Sequence, residues 1–209
     1  MPQLVKVRPT KIELIKLRRR LVLAKRIQKI VKDRLSILTL EFLQIAREIV
    51  TAKQNLLEAL SAGYQALSVA AGYHGYLFLE KELVATETDL SVVTGSRNVA
   101  GVRIPSFELD GAGKAIQAYG LMDTSSYLDQ AASQSEKALQ AVVRLAELQR
   151  GLELIGTEIN RTKRIVNALE YIVIPELRNT IKFLNMKFEE RDREEKSRLK
   201  RVKVLLQRG

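Results

Sequence analysis

Apolar residues recur at alternating steps of three and four along the first part of the chain. The repeat runs from Leu14 to Ala59, with Gln28 its only polar member. Such steps place the side chains on one helical stripe, and a stripe sustained over many heptads is typical of a coiled coil. No Pro or Gly falls between Thr10 and Ala62. The pattern therefore predicts one helix of roughly 80 Å, which needs an equally long partner.

One signal marks the start of this helix, and a second apolar repeat identifies its partner. Thr10, followed by Glu13 three residues later, predicts a capping box at the helix start. The same apolar repeat returns from Leu145 to Phe188 and continues more weakly, through Arg191 and Glu195, towards Leu205. Because the two segments lie at opposite ends of one chain, we expect them to pair antiparallel.

The second repeat contains an irregularity between Leu169 and Leu184. The steps there run four, four, four and three, so the phase slips by one residue. Pro175 lies within the slip, and a proline inside a helix removes one backbone hydrogen bond and favours a bend. The residues predicted to form the seam between the two helices include Leu14, Leu17, Leu21, Leu35, Leu38, Phe42, Ile45, Leu152, Ile159, Val166, Ile181 and Phe188.

The middle of the chain is rich in glycine, which breaks long helices. A short helix is predicted from Tyr76 to Thr86, and a β-hairpin over about 90–107 with its turn at Gly95–Asn98. Pro105 suits an edge position. The predicted fold is mostly α, a long antiparallel two-helix coiled coil with a short helical middle and a small β-hairpin. Its segments are an N-terminal helix over 1–62, a middle region over 63–125 and a C-terminal helix over 126–209.

Residues for catalysis are scarce. The chain has no Cys, and His74 is its only histidine, so thiol chemistry, histidine triads and histidine clusters on zinc lack their parts. Gly111–Lys114 resembles a phosphate-binding loop only faintly, because Glu108 and Ala115 occupy positions where that loop requires Gly and Ser or Thr. We therefore predict a protein that is not an enzyme, with no catalytic residue, no cofactor and no metal site.

Positive charge is concentrated at the start of the chain. The net charge is +11, and the segment up to Arg34 alone carries roughly +10. A basic segment attracts nucleic acid, anionic lipid or an acidic protein surface, and charge does not choose among them. The segment has no aromatic residues for base stacking. No apolar run reaches the length of a membrane helix, and no signal peptide is recognisable. A nucleic-acid-binding coiled coil and a static scaffold remain open.

Three stretches resemble one family of rod-shaped proteins. Lys163 and Arg164 precede the run Val166-Asn-Ala-Leu-Glu170, and Ile174-Pro175 follows it. The charged tail over 188–203 and the opening Val7–Leu14 are similar to the ends of the same family, the D subunits of archaeal and bacterial A/V-type rotary ATPases. The residues that carry the central resemblance are Arg164, Val166, Asn167, Ala168, Leu169, Glu170 and Pro175.

The resemblance implies a rotor in the central stalk of a rotary ATPase, on the cytoplasmic side of the membrane. In that family the paired termini enter the hexamer of catalytic A and B subunits, the lower part binds the small F subunit, and the base rests on a funnel subunit above the membrane ring. The hairpin projects from the stalk and affects hydrolysis. Neither nucleic acid nor direct membrane insertion is implied. The γ subunit of F-type synthases shares paired termini, but it has a larger α/β middle domain.

We expect the basic end of the coiled coil to contact acidic loops of the hexamer. Charged faces with few aromatic residues make weak, screened contacts that permit sliding. The residues predicted for this contact, here called the basic tip, are Arg8, Lys11, Arg18, Arg19, Lys25, Arg26, Arg191, Arg193 and Lys196.

Overall fold

The computed structural model describes residues 8–84, 90–111 and 125–207. The predicted mostly α fold with a two-stranded hairpin is confirmed. The elements in chain order are α1 (Lys11–His74), α2 (Tyr76–Val84), β1 (Ser91–Val99), β2 (Val102–Asp110), α3 (Ser126–Ala168), a π-helical turn (Leu169–Val173) and α4 (Ile174–Leu206).

Helix α1 starts where the sequence predicts and ends later. The backbone N–H of Glu13 donates to Oγ1 of Thr10 at 3.3 Å, so Thr10 caps the helix as predicted. The N–H of Thr10 donates to the carbonyl of Arg8 and not to Glu13, so the second bond of the predicted capping box is not formed. The expected end at Ala62 is wrong, because α1 continues through Gly63 to His74. Gly63 is buried against α3, where an added Cβ would lie 3.8 Å from Cβ of Gln134. Packing of this kind outweighs the cost of about 1 kcal/mol that glycine imposes on a helix.

The chain divides into two compact units. The terminal unit comprises Met1–Ser36 and Asn160–Gly209, and the middle unit comprises Ile37–Ile159. The two units are defined by contacts between residues, whereas the three segments predicted from sequence are defined by the helical repeat along the chain. The division into three segments therefore stays a prediction.

In the terminal unit, the first part of α1 packs against α4. Leu17 and Leu184 are each 1% exposed and share a cluster with Ala24, Ile174 and Leu177. Nη2 of Arg18 donates to Oδ1 of Asn185 at 3.4 Å. After Phe188 every described residue of α4 is exposed. The weaker continuation of the repeat, predicted through Arg191 and Glu195 towards Leu205, is therefore wrong, because those side chains lie in solvent.

In the middle unit, the rest of α1 packs against α3. Leu38, Ile45, Leu148 and Ile155 form one buried cluster. Further along the same two helices, a Cβ on Gly156 would lie 3.6 Å from the Phe42 ring, and one on Gly63 would face Gln134. Residue 42 of α1 lies beside residue 156 of α3, and residue 63 lies beside residue 134. The residue numbers change in opposite directions, so the two helices are antiparallel.

The π-helical turn lies within the interval in which the sequence predicts a phase slip. The backbone N–H of Ile174 donates to the carbonyl of Leu169, five residues earlier. A π-helical turn accommodates one residue more than an α-helical turn. Pro175 lies in the first turn of α4, where a missing N–H is tolerated. The one-residue slip is confirmed, and the predicted bend stays a prediction.

The hairpin turns later than predicted. The loop is Ala100-Gly101, with φ of 49° and 84°, and Val99 pairs with Val102. Two positive φ values are typical of a type I′ turn, whose twist suits a hairpin. Oδ1 of Asn98 accepts a hydrogen bond from Gly101 N–H at 2.9 Å. The predicted turn at Gly95–Asn98 is wrong, because these residues lie within β1, where Gly95 pairs with Ser106.

The hairpin lies against the helices of the middle unit. All of β1 before Val99 is exposed, whereas Ile104 in β2 is 2% exposed and belongs to the cluster with Leu38 and Leu148. Val99, Ala100 and Val102 pack against the same cluster. The expectation that the hairpin projects from the stalk is therefore wrong for its turn end, because apolar contacts hold that end on α1 and α3.

Helix α2 packs against α1 and α3 within the middle unit. Gly75, with φ of 82°, reverses the chain after α1. Leu79 of α2 is then buried with Ala70 of α1 and Leu128 of α3, so three helices pack together there. His74 Nε2 accepts a hydrogen bond from Ser125 N–H at 3.1 Å, just before α3, and its ring stacks on Phe78. These contacts give His74 a packing role where α1, α2 and α3 meet.

Candidate functional site

The residues of the basic tip all lie in the terminal unit, and all are exposed. Six come from the start of α1 and the residues before it, and three from α4 after Phe188. Because Arg18 contacts Asn185, antiparallel pairing brings Lys11 to the level of Asp192, two turns away. The structure thus places both sets on one unit, and contact with a hexamer stays a prediction.

The two helices contribute different charge to this surface. In α1, Glu13 and Asp33 are the only acidic residues before Ser36. In α4, acidic and basic residues alternate, as in the Lys187–Glu190 ion pair at 2.8 Å. The hydrogen bond with Glu190 raises the pKa of Lys187, and the same bond lowers the pKa of Glu190. Helix α1 up to Ser36 has ten basic and two acidic residues, whereas α4 has ten basic and six acidic residues, so most of the excess positive charge comes from α1.

Apolar side chains outside the predicted seam accompany the basic residues on α1. Ile12, Ile15, Val22 and Leu23 are each more than half exposed. An exposed apolar side chain is common singly, but four close together beside a basic surface favour a protein partner over free solvent. Counting the apolar residues outside the predicted seam would have found them.

The seam residues fall into the two buried clusters. Leu14, Leu17, Leu21, Ile181 and Phe188 lie in the cluster of the terminal unit. Leu38, Phe42, Ile45, Leu152 and Ile159 lie in that of the middle unit. Leu35 is half-buried and Val166 is buried. These residues therefore hold the helices together and leave the outward faces for partners.

The family-motif region combines a buried residue with an exposed polar surface. Val166 is 6% exposed, whereas Arg164, Asn167 and Glu170 are exposed. Ala168 ends α3, Leu169 begins the π-helical turn and Pro175 lies in the first turn of α4. The motif therefore coincides with the transition between the two helices.

In 8–84, 90–111 and 125–207, no group of three or more His, Cys, Asp or Glu residues could hold a metal ion. Within the same ranges, no helix is long and apolar enough to cross a membrane.

Paired helices with an apolar seam and charged outward faces define a coiled-coil protein. The chain belongs to the family of ATP synthase D subunits, whose sequence model matches residues 13–204. It is 38% identical to the D subunit of the A-type ATP synthase of Pyrococcus furiosus, over 99% of this chain and 98% of that protein. Identity is 42% to the A-type D subunit of Methanopyrus kandleri, over 97% of this chain and 88% of that protein.

A bacterial relative extends the likeness to the V-type. The D subunit of the V-type ATP synthase of Thermoanaerobacter is 32% identical over 99% of both chains. The chain is thus a non-catalytic stalk subunit of a rotary ATP synthase, as the resemblance implied. Family membership does not support the interpretations as a nucleic-acid binder or as the γ subunit of an F-type synthase.

Proposed function

We propose that this chain is the rotor shaft of the central stalk and transmits torque between the catalytic A/B hexamer and the membrane ion-translocating ring. It serves ATP synthesis or ATP-driven transport of H⁺ or Na⁺. Its partners are the A and B subunits, the small F subunit and the funnel subunit on the ring. It works on the cytoplasmic side of the membrane, bound peripherally through the complex. Membership in the family of ATP synthase D subunits supports this proposal.

The observation that carries the proposal is the packing of α1 on α4 in the terminal unit. Leu17 and Leu184, each 1% exposed, lie at the centre of a continuous apolar cluster. A pair of helices that share such a seam resists twisting better than a single helix, because rotation of one against the other would expose the buried side chains. Torque applied at the basic tip therefore passes along both helices.

The tip itself binds acidic loops of the hexamer in this proposal. The exposed Arg and Lys side chains attract carboxylates, and exposure to solvent keeps each ion pair weak. Weak pairs break and re-form as the shaft turns, so no single position traps it. Ile12, Ile15 and Val22 add apolar contact area beside them.

Charge reversal at the tip tests this proposal. Arg19, Lys25 and Arg26 are exposed and outside the buried cluster, so Glu at all three leaves the helix pairing intact. Reversal of Arg47, Lys81 and Lys137, three exposed residues of the middle unit outside the hairpin, is the matched control. Both complexes are assembled in vesicles, and ions transported per ATP hydrolysed are measured.

We expect the tip variant to lose most of its ion transport per ATP, whereas the control keeps the unmodified ratio. A tip variant with unchanged coupling would reject contact through these charges. If the unmodified chain failed to assemble with A and B subunits at all, the rotor proposal itself would be wrong.

A further inference from the structure

The imidazole of His74, at the end of α1, contacts α2 and the residue that precedes α3. Its Nε2 accepts a hydrogen bond from the backbone N–H of Ser125 at 3.1 Å. The ring also stacks on Phe78 of α2, with the ring centroids 5.6 Å apart and an angle of 27° between the planes. Gly75, with φ of 82°, lies between α1 and α2. One half-buried side chain therefore joins three helices.

The side chain of Ser125 does not add a second bond to this junction. Its Oγ is buried, and within the described ranges it has no hydrogen-bond partner. The carbonyl of Ser125 accepts a hydrogen bond from the N–H of Leu128, which lies within the start of α3 itself. The bond to His74 is therefore the polar contact that ties Ser125 to the end of α1.

Helix α2 depends on contacts of this kind. It has only nine residues, from Tyr76 to Val84, and a helix of that length is not stable alone in water. Leu79 is the buried residue of α2, where it packs with Ala70 of α1 and Leu128 of α3. The stack of Phe78 on His74 adds a second contact beside it. A change at His74 therefore acts on an element with little stability of its own.

The hydrogen bond from Ser125 requires one protonation state of the ring. A neutral imidazole carries hydrogen on one nitrogen, and its other nitrogen is the acceptor. Because Nε2 of His74 accepts, the hydrogen of the neutral ring lies on Nδ1. An imidazolium ring carries hydrogen on both nitrogens, so protonation would place two hydrogens between Nε2 and the nitrogen of Ser125. The added proton and this hydrogen bond exclude each other.

Other titratable groups surround this junction. They are Tyr73 on α1, Tyr76, Glu80, Lys81 and Glu82 on α2, and Tyr127 and Asp129 at the start of α3. Tyrosine, carboxyl and ammonium groups ordinarily change charge outside the interval of about pH 5 to 8, whereas histidine changes inside it. The C-terminal end of α1 favours a positive ring and the N-terminal end of α3 disfavours it, so these two effects oppose each other. The direct bond therefore decides the outcome.

We propose that His74 is a pH-dependent switch in the middle unit. The neutral ring holds the end of α1 to the start of α3 and to α2. Protonation removes the acceptor from the N–H of Ser125, and α2 separates from α1 and α3. Acidification therefore favours the released form, and the joined form is restored as the pH rises through the histidine range. This inference goes beyond the rotor proposal and does not depend on it.

Nuclear magnetic resonance of the ring nitrogens tests the state of His74 directly. His74 is the only histidine of the chain, so labelling with ¹⁵N-histidine gives the signals of one ring. At about pH 8 we expect hydrogen on Nδ1 and an unprotonated Nε2, and at about pH 5 hydrogen on both. A neutral ring with its hydrogen on Nε2 would overturn the inference, because that atom could not then accept from Ser125.

Hydrogen exchange of the purified chain tests the release of α2. Exchange rates are divided by the intrinsic rates at each pH, so that only protection is compared. Between about pH 8 and about pH 5 we expect roughly a tenfold loss of protection in α2 and at the start of α3, because a bonded N–H loses its acceptor. The amides around Leu17 in the terminal unit should change less than about twofold. Unchanged protection of α2 would contradict the switch.

His74→Gln shows whether the imidazole is the group that responds. The amide oxygen of Gln is an acceptor that does not titrate, so we expect protection of α2 to become independent of pH. His74→Arg, which carries a positive charge and no acceptor, should give low protection at both pH values. Circular dichroism verifies that both variants keep the long helices. If His74→Gln loses as much protection in acid as the unmodified chain, another group is responsible and the inference is wrong.

Discussion

The side chain of Ile104 occupies the space that Gly151 leaves on α3. A Cβ placed on Gly151 would lie 3.0 Å from Cγ2 of Ile104, closer than nearly all real contacts of this kind. Gly151 is buried inside a helix of 43 residues, where glycine is unfavourable. Because an isolated two-stranded hairpin is at best marginally stable in water, this contact contributes directly to holding the hairpin in place.

Ile104→Ala should release the hairpin from the helices. The substitution truncates the buried side chain of β2, at a cost of roughly 2–5 kcal/mol. We expect the backbone amides of β1 and β2 to exchange with solvent far faster, while those of α1 and α3 change little. Hydrogen exchange followed by mass spectrometry measures this. Unchanged protection of the strands would show that Ile104 does not hold them.

The effect of Gly151→Ala on the free energy of unfolding should depend on which residue is at position 104. Alone, it gains helix propensity of about 1 kcal/mol but crowds Ile104, so we expect no net gain or a loss in unfolding free energy. Combined with Ile104→Ala it should stabilise by about 1 kcal/mol relative to Ile104→Ala alone. Urea unfolding of the four proteins in the cycle gives the coupling. Equal effects of Gly151→Ala in both backgrounds would contradict the contact.

Two leucines on α1 should respond very differently to truncation. Leu17 is 1% exposed in the terminal unit, and Leu23 is 57% exposed on the same helix. We expect Leu17→Ala to lower the unfolding free energy by roughly 2–5 kcal/mol, since it leaves a cavity. Leu23→Ala should stay within about 0.5 kcal/mol. Urea denaturation compares the two, and similar losses would mean that α1 presents another face to α4.

Deletion of Ile172 should be tolerated. Ile172 is 62% exposed within the π-helical turn. Removing one residue there allows regular α-helix while Leu177 and Leu184 keep facing α1, so we expect a change within about 1 kcal/mol. Deletion of Lys182, also exposed, is the control. Deletion of Lys182 rotates Leu184 and Phe188 by about 100° away from the seam. We expect this deletion to lower the free energy of unfolding, measured by thermal denaturation, by roughly 3 kcal/mol or more. Equal losses of unfolding free energy for the two deletions would contradict the interpretation that the π-helical turn contains one extra residue.

The sequence by itself determined the helices and how they pair. The heptad row through Leu17 and Leu38 is visible without coordinates, because a period of three and four is a property of the chain. The step irregularity after Leu169 likewise located the π-helical turn, since one extra residue shifts every later apolar position. Thr10 and Glu13 set the helix start through contacts within one turn. These features depend on residues close together in sequence.

Only the tertiary structure decided where α1 ends, where the hairpin turns and what lies against it. Gly63 stays helical because α3 packs on it, and Ala100-Gly101 forms the turn that places Ile104 beside Gly151. Leu43, Val50, Leu57 and Tyr64 recur every seven residues in the sequence, but only the packing of α1 against α3 shows that these side chains are exposed. Each of these outcomes depends on contacts between residues far apart in the chain, whose energies outweigh local preferences of about 1 kcal/mol.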